Sequence, residues 1–420
     1  MIRVNVNAFI SDNTGNPILS IKHQGILKWL FPFCSKVLLH GINCHKSIEP
    51  YKLHIFTLFK SQKTYTENDL LDHNYKDYLQ LPMQPLMTNL ESISYETFEN
   101  DKVKYNCYQT ALTQALRDYK SLGHFKGMSG KEIKSEEKSV KVLLVGAGRG
   151  PLIKRAFKAS EIAGVPIEVT AIEKNPNAIT TLRNLIYSET WGQYVTVVKT
   201  DIRNLYSTNI YDIIVSELLG SFGDNELSPE CLYATEKYLS PSGIFIPREY
   251  TSYLHPMSSP KLWSEVKNIH NKFPYESPYV VKIESAVFIG EPKQVFSFYH
   301  PKQNKDKTHI KLTFNHETIF PIYIHGFAGY FNSVLYPDIN MGIVPAMHTK
   351  DLHSWFPMFF PINEPLLVEP GDSIEVALWR DSNTSSVWYE WAIAVKSTIG
   401  SLRSTAIHNM NGRGYSIGLY

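Results

Sequence analysis

Two carboxylates set the chemical question. Glu217 and Glu226 stand nine residues apart in one glycine-bearing stretch. Carboxylates so placed could hold a cationic group between them. They can also localise its charge and take a proton. Acids on a surface loop are ordinary, and a solvated pair is the plain alternative. A second constellation lies upstream. Gly146, Gly148 and Gly150 follow the Val- and Leu-rich run 141–145, where glycine permits positive φ and lets a ligand approach closer than a Cβ would. Taken alone, such a turn is a weak signal. Glu173 lies 25 residues beyond Gly148 and could accept hydrogen bonds from both hydroxyls of a ribose, while Asp201 stands where adenine commonly lies in nucleoside-binding sheets. Helix caps are the competing reading of both acids.

These residues need a scaffold, and the flanking pattern supplies one. The run before Gly146 has no helical period and reads as a buried parallel strand. A helix follows from Leu152 to about Ala163, its small apolar face formed by Leu152, Ala156, Ala159 and Ala163. Further strands are expected at Ile167 to Ile172, Tyr194 to Val198, Asp212 to Ser216 and Gly243 to Pro247, with Asn175 and Pro176 as a helix start. Beyond Arg248 the runs Tyr279 to Ile283, Gln294 to Tyr299, His309 to Phe314, Thr318 to Ile324, Ser373 to Trp379 and Val387 to Val395 are separated by Pro, Gly and Asn turns, which suggests an antiparallel sandwich or barrel. Toward the N-terminus, residues 1–18 show no pattern, and Gly25 to Ser61 reads as a helix, a strand at Lys36 to His40 and a second helix. Residues 63–76 read as a linker and 126–138 as a solvated loop. Tyr78 is expected in the core, and Asp224, Glu230 and the loop polars His40, Cys44 and His45 in solvent.

The chain has 420 residues, 43% of them hydrophobic, enough for two or three domains. A net charge of +2 does not indicate a field strong enough to drive nucleic-acid binding. Cys34, Cys44, Cys107 and Cys231 lack paired spacing, which argues against a disulfide framework or a zinc site. Without a basic leader or about 18 consecutive apolar residues, the chain reads as soluble and intracellular.

The run Val-Ser-Glu-Leu-Leu-Gly-Ser-Phe-Gly-Asp-Asn-Glu-Leu-Ser-Pro-Glu-Cys-Leu (215–232), together with Gly-Ala-Gly-Arg-Gly-Pro (146–151) and Glu-Lys-Asn-Pro-Asn-Ala (173–178), resembles the protein arginine methyltransferases, and more narrowly their symmetric-dimethylating, type II branch. The resemblance is dense over about residues 74–420. It implies an α/β, Rossmann-like domain for S-adenosylmethionine with lid helices at 76–247, an antiparallel β-barrel at 248–420, and at 1–75 a remnant of an N-terminal TIM barrel with its linker, hence an N-terminally shortened member. It further implies S-adenosylmethionine as methyl donor, no metal, cofactor contacts from Tyr95, Lys104, Tyr105, Gly146, Gly148, Glu173, Asp201 and Ile202, catalysis by Glu217 and Glu226, and a substrate channel completed by Phe98 and Trp355. A phenylalanine at the Phe98 position goes with symmetric product in that family. Implied partners are proteins with Arg-Gly-rich segments such as histones and splicing proteins, a WD-repeat protein, and other copies of the chain, in the cytoplasm and nucleus. A small-molecule methyltransferase would share the glycine turn and Glu173, and a non-catalytic binding module would keep the fold.

Overall fold

The computed structural model describes residues 1–31, 36–42, 44, 45, 47–61, 75–121, 139–303, 305–317 and 319–420. The expected linker up to residue 74 and the loop 126–138 lie outside them. The chain divides into two compact units, Met1–Asn74 and Tyr75–Tyr420.

In the first unit, three short strands that showed no readable period join the expected one at Val37–His40. Ile2–Asn5 pairs in parallel with Val37–His40, and Phe9–Ser11 pairs antiparallel with Pro17–Leu19. Strands of three or four residues are too short for alternation to show. Helices Ile21–Leu30 and Glu49–Lys60 complete the unit, whose core includes Val4, Leu19, Leu27, Tyr51 and Leu58.

The second unit begins with two helices, Ser92–Glu99 and Lys102–Ser121. A five-stranded parallel sheet follows, in the spatial order Val195–Lys199, Ile167–Glu173, Val140–Val145, Tyr211–Ser216, Leu239–Ile246. The chain order therefore reverses beside the first strand, so a crevice opens outside the carboxyl ends of the strands. Val142, Leu143, Leu144 and Val145 are all buried, which explains the unbroken apolar run. Helix Pro151–Ala163 starts with a proline in its first turn directly after Gly150 and buries Leu152, Ile153, Ala156 and Ala159.

The remaining residues form two antiparallel sheets. One has seven strands, Glu249–Ser258, Ile322–Tyr336 and Met358–Val368 among them, and the other five, including Ser373–Ser382 and Ser386–Lys396. The run expected from Thr318 becomes a strand of 15 residues, Ile322–Tyr336, and Thr318 itself lies outside the described residues. Glu249–Ser258 escaped the sequence reading because nine of its ten residues are buried, His255 and Pro256 among them, leaving no alternation to detect. Tyr78 is corrected as well: it is 61% exposed. Asp77 adopts a positive φ of 55° and turns its carboxylate inward to the N–H groups of Glu284 and Ser285, so the next side chain points out. Among the described residues no helix is long and apolar enough to cross a membrane.

Candidate functional site

The glycine turn shapes one end of the crevice. Gly146, Gly148 and Gly150 have φ of 75°, 54° and 98°, a region in which L side chains are strained. A Cβ at Gly146 would lie 2.7 Å from Leu218 Cδ2, and one at Gly148 3.2 Å from the Tyr95 ring. Glu173, 7% exposed, ends the neighbouring strand. Its Oε2 accepts from the Gly148 N–H at 2.7 Å and its Oε1 from the Asn175 N–H at 2.7 Å. Each oxygen keeps capacity for a further donor. Tyr95, on Ser92–Glu99, accepts from Asn175 Nδ2 at 3.0 Å. Burial, followed by the Glu173 charge, pushes its phenol up to about 12, so the hydroxyl remains a donor at neutral pH. Thr200 N–H bonds the Glu173 carbonyl at 3.1 Å and holds the next strand end alongside. There Asp201 caps the turn Ile202–Asn204 through the Arg203 N–H and takes the Arg203 guanidinium at 3.0 and 2.7 Å. The capping role weighed for this acid is thus present, and Ile202 beside it is buried.

The two glutamates belong to a packed loop between Tyr211–Ser216 and Ser228–Tyr233. Gly220 and Gly223 exchange backbone hydrogen bonds of 3.1 and 2.8 Å. Asn225 Oδ1 accepts from the Phe222 N–H at 2.6 Å, and Ser252 Oγ donates to the Phe222 carbonyl at 2.7 Å. Trp355 donates its indole N–H to the Leu219 carbonyl at 2.8 Å. Asp224 and Glu230, expected in solvent, are instead held by Arg380 from Ser373–Ser382, at 2.6 and 2.8 Å. Sheet residues 150 positions away cover the loop, a contact that no local pattern could reveal.

Glu217 and Glu226 are half-buried. Burial first, and then the charge of Glu217, pushes the Glu226 carboxyl up to about 8, against the pull of Lys104. Lys104 itself is 1% exposed, with Nζ 3.2 Å from Glu217 Oε2. The same ammonium lies 5.1, 4.9 and 5.1 Å from the ring centroids of Phe98, Tyr105 and Trp355. Three aromatic faces and a carboxylate make a site for a cation. Phe98, Lys104, Tyr105, Glu217 and Trp355 are therefore brought together, with Glu226 within reach of their charges. Tyr95, Gly148 and Glu173 form the adjoining cluster, while Asp201 and Ile202 stand at the next strand end.

The sequence matches the family described as PRMT5 arginine-N-methyltransferase over residues 66–246 and that described as PRMT5 oligomerisation domain over residues 249–417. Protein arginine N-methyltransferase 5 of Xenopus laevis is 41% identical over 98% of this chain and 64% of its own length. Protein arginine N-methyltransferase skb1 of Schizosaccharomyces pombe is 37% identical over 100% of this chain and 68% of its own length. The chain belongs to the PRMT5 family of arginine methyltransferases. It spans 65% of the length of its Oryza sativa relatives, at 39% identity. Among solved structures, Arabidopsis thaliana protein arginine methyltransferase 10 shares the fold at a TM-score of 0.57, with 16% identity, 78% of this chain and 98% of that one. The Trypanosoma brucei PRMT1 enzyme-prozyme complex with AdoHcy does so at 0.57, with 14% identity, 74% of this chain and 95% of that one.

In this PRMT5-family chain, several supporting residues were missed by the sequence reading. Asp101, 1% exposed, accepts from the Lys104 N–H at 3.0 Å with one oxygen, and from the His353 N–H, Ser354 N–H and Ser354 Oγ at 2.9, 2.8 and 2.8 Å with the other. It thereby fixes the start of helix Lys102–Ser121 against the segment carrying Trp355. Arg149, within the glycine turn, forms a two-pronged pair with Glu99 at 2.8 and 2.6 Å, which ties the turn to the helix bearing Tyr95 and Phe98. An acid one residue before a helix is a readable cap signal, but its second set of donors lies more than 250 residues away.

Proposed function

We propose that this chain is a protein arginine N-methyltransferase that uses S-adenosylmethionine to form monomethyl and then symmetric dimethyl arginine. The observation that carries the reading is the Lys104 ammonium caged by Phe98, Tyr105 and Trp355 against Glu217, with Glu226 alongside. A pocket that stabilises one cation in this way is suited to a substrate guanidinium. The cofactor fits the neighbouring cluster. Glu173 retains acceptor capacity toward ribose hydroxyls, Tyr95 offers a hydroxyl, and the missing side chain of Gly148 keeps the floor beneath the Tyr95 ring open. Asp201 and Ile202 would flank the adenine. When bound, the cofactor supplies an electrophilic methyl group.

The chain's own residues do the rest. Glu217 and Glu226 clamp the guanidinium from two sides and point one terminal nitrogen at the methyl donor, largely a positioning effect. Lys104, here paired with Glu217, would be among the residues that hold the cofactor once a guanidinium takes that carboxylate. Glu226 accepts the proton released at nitrogen, a task to which a carboxyl displaced toward neutral pH is matched. The rings of Phe98 and Trp355 stack on the cationic plane and exclude water.

The same reading extends to the rest of the chain. Residues 1–75 are proposed as a TIM-barrel remnant with its linker, 76–247 as the methyltransferase domain, and 248–420 as a β-barrel through which copies of the chain associate. Proposed partners are Arg-Gly-rich proteins, including histones and splicing proteins, and a WD-repeat protein, in the cytoplasm and nucleus. Calorimetric titration with S-adenosylmethionine, followed by a methylation assay on an Arg-Gly-rich peptide, tests the activity. Binding with peptide methylation is expected. Binding without methylation would leave a binding module, and methylation of small molecules alone would give a different enzyme.

A further inference from the structure

The loop that carries Glu226 is gripped from outside the parallel sheet. Arg380 and Tyr389 are direct cross-strand partners in Ser373–Ser382 and Ser386–Lys396, so their side chains leave the same face at the same point. Both reach Asp224, two residues before Glu226. Arg380 Nε donates to Asp224 Oδ2 at 2.6 Å and the Tyr389 hydroxyl to the same oxygen at 2.7 Å, while Ser252 Oγ, which donates to the Phe222 carbonyl, stands 3.3 Å from Oδ1. The other arm of the guanidinium, Nη2, donates to Glu230 Oε1 at 2.8 Å, four residues after Glu226. One planar fork thus spans Glu226 on both sides along the chain. Its plane is seated 5.3 Å from the Phe298 ring centroid, and its side chain is 12% exposed. Asp224 is fully buried. Between the two grips Leu227 takes a positive φ of 65°, a conformation that only a fixed surround sustains.

We propose that Arg380 is a positioning residue for the reaction: through Asp224 and Glu230 it sets where the Glu226 carboxylate stands. This rests on the arginine methyltransferase reading above. A lysine at 380 would keep the charge but, as a point donor on a flexible stem, could not hold two carboxylates in a fixed fork. Removing Arg380 together with Asp224 takes away the buried pair and leaves only the partly exposed Glu230 without its partner, while still cutting the tether.

The experiment measures methylation of an Arg-Gly-rich peptide by the full chain, with kcat expressed per S-adenosylhomocysteine-binding site so that misfolded molecules are not counted. For Arg380→Lys we expect kcat per site to fall about 100-fold, as for a displacement of about 1 Å at a catalytic group, with cofactor affinity within about twofold of the parent. The paired variant Arg380→Met with Asp224→Asn should recover thermal stability relative to Arg380→Met alone without recovering kcat. Among the described residues, the titratable groups that act on Glu226 are Glu217, Lys104 and Tyr415, and none is altered. A shift in the midpoint of the pH–rate profile would therefore report movement of Glu226. Kcat per site within about twofold of the parent in Arg380→Lys, or kcat returning together with stability in the paired variant, would overturn the proposal. A parent chain that binds cofactor without methylating peptide would remove the reading beneath it, and the proposal with it.

Discussion

At Glu226, burial and a like charge act in the same direction. Its carboxyl is pushed up to about 8 by burial and by Glu217. Between the ordinary carboxyl value and about 8, the native state holds a proton that the unfolded chain has released, so this group lowers stability as pH rises through that window. A base must be ionised, so kcat/KM for peptide should climb with pH up to about 8 and then level, and Glu226→Gln should abolish that climb together with most turnover; a pH–rate series checks both. In the proposed cofactor site, Glu173→Ala would remove charge-assisted hydrogen bonds worth about 1.5 to 3 kcal/mol, so a roughly ten- to hundredfold loss of cofactor affinity is expected. Unchanged affinity by calorimetry would take Glu173 out of the site. Phe98 bears on product symmetry. In the proposed site a rigid ring beside the near nitrogen would refuse a first methyl there, whereas the flexible methionine could move aside. Phe98→Met is therefore expected to yield some asymmetric dimethylarginine, and a purely symmetric product by mass spectrometry would place the selectivity elsewhere.

The elements show where local pattern suffices and where it does not. Helix Pro151–Ala163 and the strands around it were readable because a buried parallel strand is continuously apolar and a helix against a sheet repeats every three to four residues. The positions of Gly148 and Glu173 followed from that order. Glu249–Ser258 and Met358–Val368 were not readable, since interior strands with polar residues in fixed contacts show neither signal. Asp101 marks the same limit inside the site. Its cap on Lys102–Ser121 is local, but its grip on His353 and Ser354 exists only after folding. Although burial opposes it, the backbone N–H groups of Lys104, His353 and Ser354 and the Ser354 hydroxyl hold its carboxyl below the usual range. Its contribution to stability is thus present above the ordinary carboxyl value and lost as pH falls through the native one. Asp101→Asn, which turns an N–H donor toward these groups, should cost roughly 2 to 3 kcal/mol, read as a lower denaturation midpoint. A midpoint equal to the parent's would show that the four bonds contribute nothing net.

Across the second unit, the parallel sheet provides the crevice and the antiparallel sheets close the acidic loop. Trp355 reaches Leu219, Ser252 reaches Phe222, and Arg380 with Tyr389 reaches Asp224. Residue types and spacing located the two glutamates, but the covering of the loop was illegible because every covering group comes from sequence beyond residue 248. In the proposed function, this covered loop clamps a guanidinium for methyl transfer. Mass spectrometry of an Arg-Gly-rich peptide, incubated with S-adenosylmethionine and either the parent chain or Glu217→Gln, tests it most directly, with cofactor affinity of both measured in parallel. One and then two methyl groups on arginine are expected with the parent, and almost none with a variant that still binds cofactor. Equal methylation by both proteins would contradict it.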